Sequence, residues 1–305
     1  MTTLAPLLLL AVPLGLASSV RAADVQLRWR LAAGTQLWIQ LRQTSQTETA
    51  IRDHVTAVAI DTGLDLHWHV DRVDEEGTAQ LTQSFTRLWL RSVAPDGKVL
   101  AYDSNSTSPP AAESKSLADA VQTLLRLRVA LTLSSRGEIL DVQRPAETDS
   151  LLGDLPASAG WKSLLTRDGM QRALHQALGR LPEGPVAAGS SWSIVRQLDA
   201  PLGQLTATDT YTYEGAAEAG GRPLERIRVS TQWRLPAVTS VTPAPERVER
   251  QQVEGEYLFD TAAGLLAEAR LTQTLVSEVP YGDGKIRVTT RSNLTARLSA
   301  AQPGQ

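Results

Sequence analysis

The run QLTATDTYTY, Gln204 to Tyr213, places Thr206, Thr208, Thr210 and Thr212 on one side of an extended chain. Leu205, Ala207, Tyr211 and Tyr213 fall on the other. Side chains of a strand alternate between two faces, so a period of two predicts a β-strand with one solvated and one buried face. Working outward, the same alternation recurs from Trp192 to Leu198, Leu224 to Leu235, Val248 to Phe259, Leu265 to Val276 and Lys285 to Leu298. The breaks fall at Gly220-Gly221, Ala263-Gly264 and Gly282-Asp283-Gly284, residues that favour tight turns.

The N-terminal part reads in the same way. In VQLRWRL, Val25, Leu27, Trp29 and Leu31 alternate with polar residues. Ala33-Gly34 then makes a turn, and Leu37, Ile39 and Leu41 resume the alternation, which predicts a hairpin. Val55 to Val73 reads as one or two strands, followed by Thr78 to Val93 and Val99 to Asp103 after turns at Glu76-Gly77 and Asp96-Gly97. Asn105 to Lys115 and Pro236 to Pro245 read as proline-containing loops, because proline lacks the donor that a central strand needs.

Two segments change period. Leu117, Val121, Leu124 and Leu125 lie at helical spacing behind Ser116 as N-cap, and the helix leads into a strand at Val129, Leu131 and Leu133 that turns back at Arg136-Gly137. A second helical region covers about Trp161 to Leu181, with Leu174, Ala177, Leu178 and Leu181 as its apolar stripe. The expected fold class is therefore α+β, predominantly β: long, curved antiparallel sheets with a few helices packed on one face. The parts are an N-terminal β-rich half over 23–145, a helical connector over 146–189, a C-terminal β-rich half over 190–299 and a disordered tail over 300–305. The two halves are read as one continuous domain.

At 305 residues, with 42% hydrophobic and 21% charged side chains, the chain has enough apolar material for a core without disulfide or metal staples. Thirty basic against 33 acidic residues leave no basic excess for neutralising phosphates, so nucleic acid is not an expected partner. The absence of cysteine excludes thiol catalysis, cysteine zinc sites and disulfides. Residues 1–22 combine an apolar run, Leu4 to Ala17, with Val20 and Ala22 at the positions a signal peptidase reads. This predicts a secretory signal peptide cut after Ala22, with a retained anchor as the alternative, and places the mature chain in the periplasm or outside the cell. No later segment is long and apolar enough to span a membrane as a helix.

Two stretches carry candidate chemistry. Val58-Ala59-Ile60 running into Asp61-Thr62-Gly63 is similar to the active-site loop of aspartic proteases, where two carboxylates share a proton and activate a water. A second such loop is missing. Phe259-Asp260-Thr261-Ala262 is a partial echo, a homodimer could supply a second copy, and a glycine bend in a long strand is the plain reading. Asp65-Leu66-His67-Trp68-His69-Val70-Asp71 puts His67 and His69 two apart on one strand face, where they could share a zinc or copper ion given a third ligand. A solvated strand face is the plain reading there. Serine-nucleophile, phosphate-loop and dinucleotide motifs are missing, and no cofactor is expected. Seven tryptophans against two phenylalanines supply most of the aromatic bulk. Trp29, Trp68 and Trp233 share the apolar phase of their strands, as core residues or as the lining of a cavity.

The order of VQLRWRL, GTAQLTQSF, APDGKVLAYDS, VALTLSSRGEILDV, RLPEGPVAAGSSWSI, YTYEG and FDTAAGLLAEARL resembles an uncharacterised family of exported bacterial proteins of about this length, a domain of unknown function. A looser likeness of shape is to lipoprotein-localisation carriers, in which a curved antiparallel sheet holds acyl chains against a few helices. Export, long one-faced strands and missing catalytic motifs together point to a non-enzymatic protein that binds an apolar ligand, a lipoprotein or an envelope partner. The alternatives are an interaction module without a small ligand, an aspartic-type hydrolase on Asp61, or a metal protein on His67 and His69.

Overall fold

A computed structural model describes residues 24–145, 148, 166–200, 203–234, 247–282 and 284–301. The expected leader over 1–22, the start of the second helical region at Trp161, the loop Pro236 to Pro245 and the tail beyond 301 lie outside the described residues. The fold is predominantly β; the described residues form an open antiparallel sheet of 12 strands and two α-helices. In chain order the elements are β1 (Gln36–Ile51), β2 (His54–Val73), β3 (Ala79–Val93), β4 (Val99–Asp103), α1 (Lys115–Arg126), β5 (Arg128–Leu133), β6 (Ile139–Gln143) and α2 (Arg167–Leu178). They continue as β7 (Ser191–Ala200), β8 (Gly203–Ala219), β9 (Arg222–Arg234), β10 (Arg247–Asp260), β11 (Leu265–Tyr281) and β12 (Gly284–Ser299).

The spatial order is β6-β5-β3-β2-β1-β12-β11-β10-β9-β8-β7, with β4 pairing the far part of β3. Neighbouring strands are mostly neighbours in sequence, as short hairpin connections require. The exceptions are β5 beside β3, which passes over β4, and the join between the halves. β1 pairs β12 over fourteen residues, from Trp38 opposite Ser299 to Ile51 opposite Ile286. The first strand of the chain and the last thus stand side by side at the middle of the sheet.

The sheet curves around α2. The Tyr257 hydroxyl on β10 donates to the Gln176 carbonyl, and Gln171 Nε2 donates to the Ile139 carbonyl on the edge strand β6. His175 meets Asp209 on β8, and Met170 meets Gln83 on β3. One helix can touch strands from both ends and the middle of a sheet only if the sheet wraps it. Thr166 caps α2 by accepting from Gly169 N at 3.0 Å. Gly179 ends it at φ 66°, where a Cβ would strike the Tyr257 ring. The buried stripes of both helices, including Val121, Leu124, Met170, Leu174, Ala177 and Leu178, join the inner sheet face in one apolar cluster.

Two expectations change. VQLRWRL keeps its alternation, with Leu27 and Trp29 buried, but it does not form a hairpin with β1. It is an extended strap. Val25 bridges Val186, Trp29 N donates to the Ser135 carbonyl, and Arg30 N donates to the Gly264 carbonyl. The strap thereby ties the β5–β6 turn to the β10–β11 turn, and its donors are satisfied by loops that sequence cannot place. The first helix is capped two residues earlier than Ser116. Ser114 is its N-cap, and the Ser114 hydroxyl donates to the Ala101 carbonyl instead of the helix.

Candidate functional site

The inner face of β12, β1, β2 and β3 opposes one side of α2, and the surfaces do not close on each other. Between them lies a cavity of about 180 Å³. Leu41 and Leu64, paired across β1 and β2, form one wall with Leu66, Phe85 and Leu294. Met170, Ala173, Leu174 and Ala177, at helical spacing on α2, form the other. Alanines at two of these four positions keep the helix surface low where the leucines of the sheet are high. The lining is largely apolar, and its size is comparable to cavities that accept benzene-sized guests, of roughly 150 Å³.

The polar groups in this lining are neutral. Gln83 is buried to 1% exposure, accepts from Trp68 Nε1 at 2.8 Å and directs its amide nitrogen at the Met170 sulfur. Gln43 and Thr62 stand at the other end, on β1 and β2. A site of this kind can sequester apolar atoms and orient a ligand through a few neutral hydrogen bonds.

On the opposite side of α2 a polar cleft of about 420 Å³ runs between β6 and β7, lined by Glu138, Asp168, Arg172, His175, Arg180 and Arg196 among others. Behind it Asp209 is 3% exposed in the apolar phase of β8. It accepts two hydrogen bonds from Arg196, at 2.7 and 3.1 Å, one from Thr231 at 2.7 Å, and lies 3.1 Å from His175 Nε2. Burial pushes this carboxyl up, but the bonds from His175, Arg196 and Thr231 outweigh it and hold Asp209 well below the ordinary carboxylate range. Arg180 pairs with Glu138 in the same cleft. These partners are one another's, which makes the cluster a brace between α2 and the sheet.

Sequence reading missed Asp209. The signal was present: an acid in the inward phase of an otherwise apolar strand face must find buried partners. The partners are 34 residues upstream for His175 and 22 downstream for Thr231, so the pairing itself was not visible.

The residues singled out from sequence lie on the outer face. Asp61 sits within the unbroken β2, opposite Thr44 of β1 and Arg91 of β3. Asp260 stands at the β10–β11 turn, where it accepts from Ala263 N, and three strands separate β2 from β10. The structure does not bring the two carboxylates together. Gly63 has a physical reason of its own: the Trp89 indole lies across it where a Cβ would be, with the Arg42 guanidinium 5.7 Å from the ring centre. Arg42 also pairs with Asp65 at 2.6 Å.

His67 lies against Trp38, ring centres 4.9 Å apart, with Nε2 at 3.2 Å from Gln36 Oε1. Burial, with the charges of His69 and Arg128, lowers its affinity for a proton. His69 shares the face and stands 3.9 Å from Asp71. Among the described residues no group of three His, Cys, Asp or Glu side chains is placed to hold a metal ion. No described helix is long and apolar enough to cross a membrane. Of the tryptophans expected inside, Trp29 and Trp68 are fully buried and Trp233 is half-buried.

No protein-family model matches the chain, and no curated protein matches its sequence. Among solved structures, that of lipid–protein interactions in lipovitellin is similar at 12% identity and a TM-score of 0.47, over 90% of this chain and 26% of lipovitellin. The chain thus spans about a quarter of that protein. The hypothetical lipoprotein YmcC from Escherichia coli is similar at 10% identity and a TM-score of 0.21, over 90% of this chain and 92% of that one. DynF of the dynemicin biosynthesis pathway of Micromonospora chersina gives 8% and 0.20, over 95% and 91%. These likenesses are distant, and the functional reading rests on the geometry.

Proposed function

We propose that the protein is an exported, non-enzymatic binding protein that holds an apolar ligand between α2 and the inner face of its curved sheet. The observation that carries this is the cavity. Protein interiors are close-packed, and a gap lined by Leu41, Leu64, Leu66, Phe85, Leu174 and Leu294 costs stability unless something fills it. The charged groups of α2 face the other way, and among the described residues no charged side chain lines the cavity. Export rests on the leader over 1–22, and a mature N-terminus at Ala23 in protein recovered from the cell envelope or medium is its test.

The test of binding uses N-phenyl-1-naphthylamine, an uncharged probe whose emission rises on leaving water. The wild-type protein should bind it saturably, and Ala173→Phe, which fills the cavity from the helix side, should abolish binding while leaving the unfolding transition in place. A wild-type protein that leaves the probe dark, or a variant that binds it equally well, would overturn the reading. A second reading is an interaction module working through its sheet edges. It is favoured by Val195 on β7 and Leu140 on β6, 65% and 46% exposed on the two edge strands. That reading takes over if the probe does not bind.

A further inference from the structure

Past the cavity, β1, β2, β11 and β12 run on together well beyond α2, and their inner face changes character. Ser45 pairs with Ser292 across β1 and β12, hydroxyls 3.0 Å apart, and Thr47 with Thr290, hydroxyls 3.1 Å apart. These positions share the face of Leu41 and Leu294, because β1 keeps a strict two-residue alternation against both neighbours with no bulge. Gln43 and Thr62, at the end of the cavity lining, stand between the leucines and these hydroxyls. At about 3.4 Å per residue the two hydroxyl pairs lie roughly 7 and 14 Å beyond Gln43 along the strand.

Among the described residues, this stretch of inner face from Gln43 to Thr49 and across its neighbours carries no charge. Arg42, Glu48, Asp61, Arg287 and Arg291 all fall in the outward phase of their strands, while Ser45, Thr47, Thr49, Ile60, Val288 and Thr290 face inward. In each hydroxyl pair one O–H donates to the other oxygen, which leaves one free donor and several lone pairs. A surface of this kind satisfies a neutral group that both donates and accepts. It offers a carboxylate or phosphate no cation, and an ammonium no anion.

From this we infer that the ligand is an amphiphile with an uncharged, hydroxyl-bearing head, its apolar end in the cavity and its head on the Ser45–Ser292 and Thr47–Thr290 pairs. The inference rests on the cavity being the binding site, as proposed above. Monodecanoylglycerol, decanoate and decyltrimethylammonium present one apolar chain with a neutral, an anionic and a cationic head. Each is titrated against wild-type protein loaded with N-phenyl-1-naphthylamine. Monodecanoylglycerol should displace the probe at about tenfold lower concentration than either ion, the equivalent of one or two hydrogen bonds. Ser45→Ala combined with Thr47→Val should bring that ratio close to one while probe affinity stays unchanged, which also reports that the variant is folded. Equal displacement by all three, or preference for an ion, overturns the head-group inference and leaves the apolar site standing. Failure of the probe to bind wild-type protein overturns the site itself, and the inference with it.

Discussion

His175 Nε2 on α2 lies 3.1 Å from Asp209 Oδ2 on β8, with the two side chains 13% and 4% exposed, and the same carboxylate oxygen receives Arg196 Nε at 2.7 Å. The helix that forms one wall of the cavity is thereby fixed to the C-terminal half of the sheet, while Met170 and Gln171 fix it to the N-terminal half. Asp209→Asn keeps the shape but leaves Arg196 and His175 without their anion. Removing one partner of a buried ionic cluster costs about 3 kcal/mol or more. Urea unfolding of wild type and variant measures this, and a difference below about 0.5 kcal/mol, the range of ordinary surface changes, would show that the cluster does not brace the helix.

The same group makes an acid dependence. Its carboxyl titrates lower in the folded protein than the value of about 3.9 usual for an unfolded chain. Below that value the unfolded state takes up a proton that the folded state refuses, so the stabilisation present at neutral pH is lost as pH falls from about 4 downward. Wild-type stability should therefore drop more steeply between about pH 5 and pH 3 than that of Asp209→Asn. Parallel curves for the two proteins would remove Asp209 as the source.

Gln83 is the polar group most deeply set in the cavity wall, and it accepts the indole hydrogen of the fully buried Trp68. Gln83→Leu fills similar space but leaves that hydrogen without an acceptor, at a cost of about 1 to 3 kcal/mol. Gln83→Glu retains an acceptor for the indole and should recover part of the loss at a pH where the carboxyl is protonated. Chemical denaturation of both variants checks the order; an undisturbed Gln83→Leu would mean that the indole bond contributes nothing net.

The strands were legible because each keeps one face in the core, and alternation survives in sequence whatever the strand pairs with. The same independence explains the strap. Leu27 and Trp29 alternate because they are buried, and alternation does not say whether the backbone donors between them meet a strand or, as here, the carbonyls of Ser135 and Gly264. The stripe Leu174, Ala177 and Leu178 announced α2, since helical spacing is local. That the other side of the helix would carry His175 to Asp209, and that β1 would lie beside β12, depends on contacts between residues far apart in the chain. The cavity was equally hidden, because a gap is the difference between two surfaces and no single residue records it.

Gly63 shows how a local motif can carry a packing reason in place of a chemical one. The Trp89 indole occupies the space that a side chain at position 63 would need, and the Arg42 guanidinium packs on that indole while pairing with Asp65. Gly63→Ala must displace the indole and with it the cation, at a cost of about 1 to 3 kcal/mol. Trp89→Ala alone loses the aromatic cover and the cation–π contact. If the clash is the cause, the double variant is less damaged than the two single changes predict, by about 1 kcal/mol in a double-mutant cycle. Additive losses would mean that the indole is not what excludes a side chain at position 63. Asp61→Asn, two residues away in the same outward phase of β2, should leave this coupling unchanged, because Arg42 takes its carboxylate from Asp65.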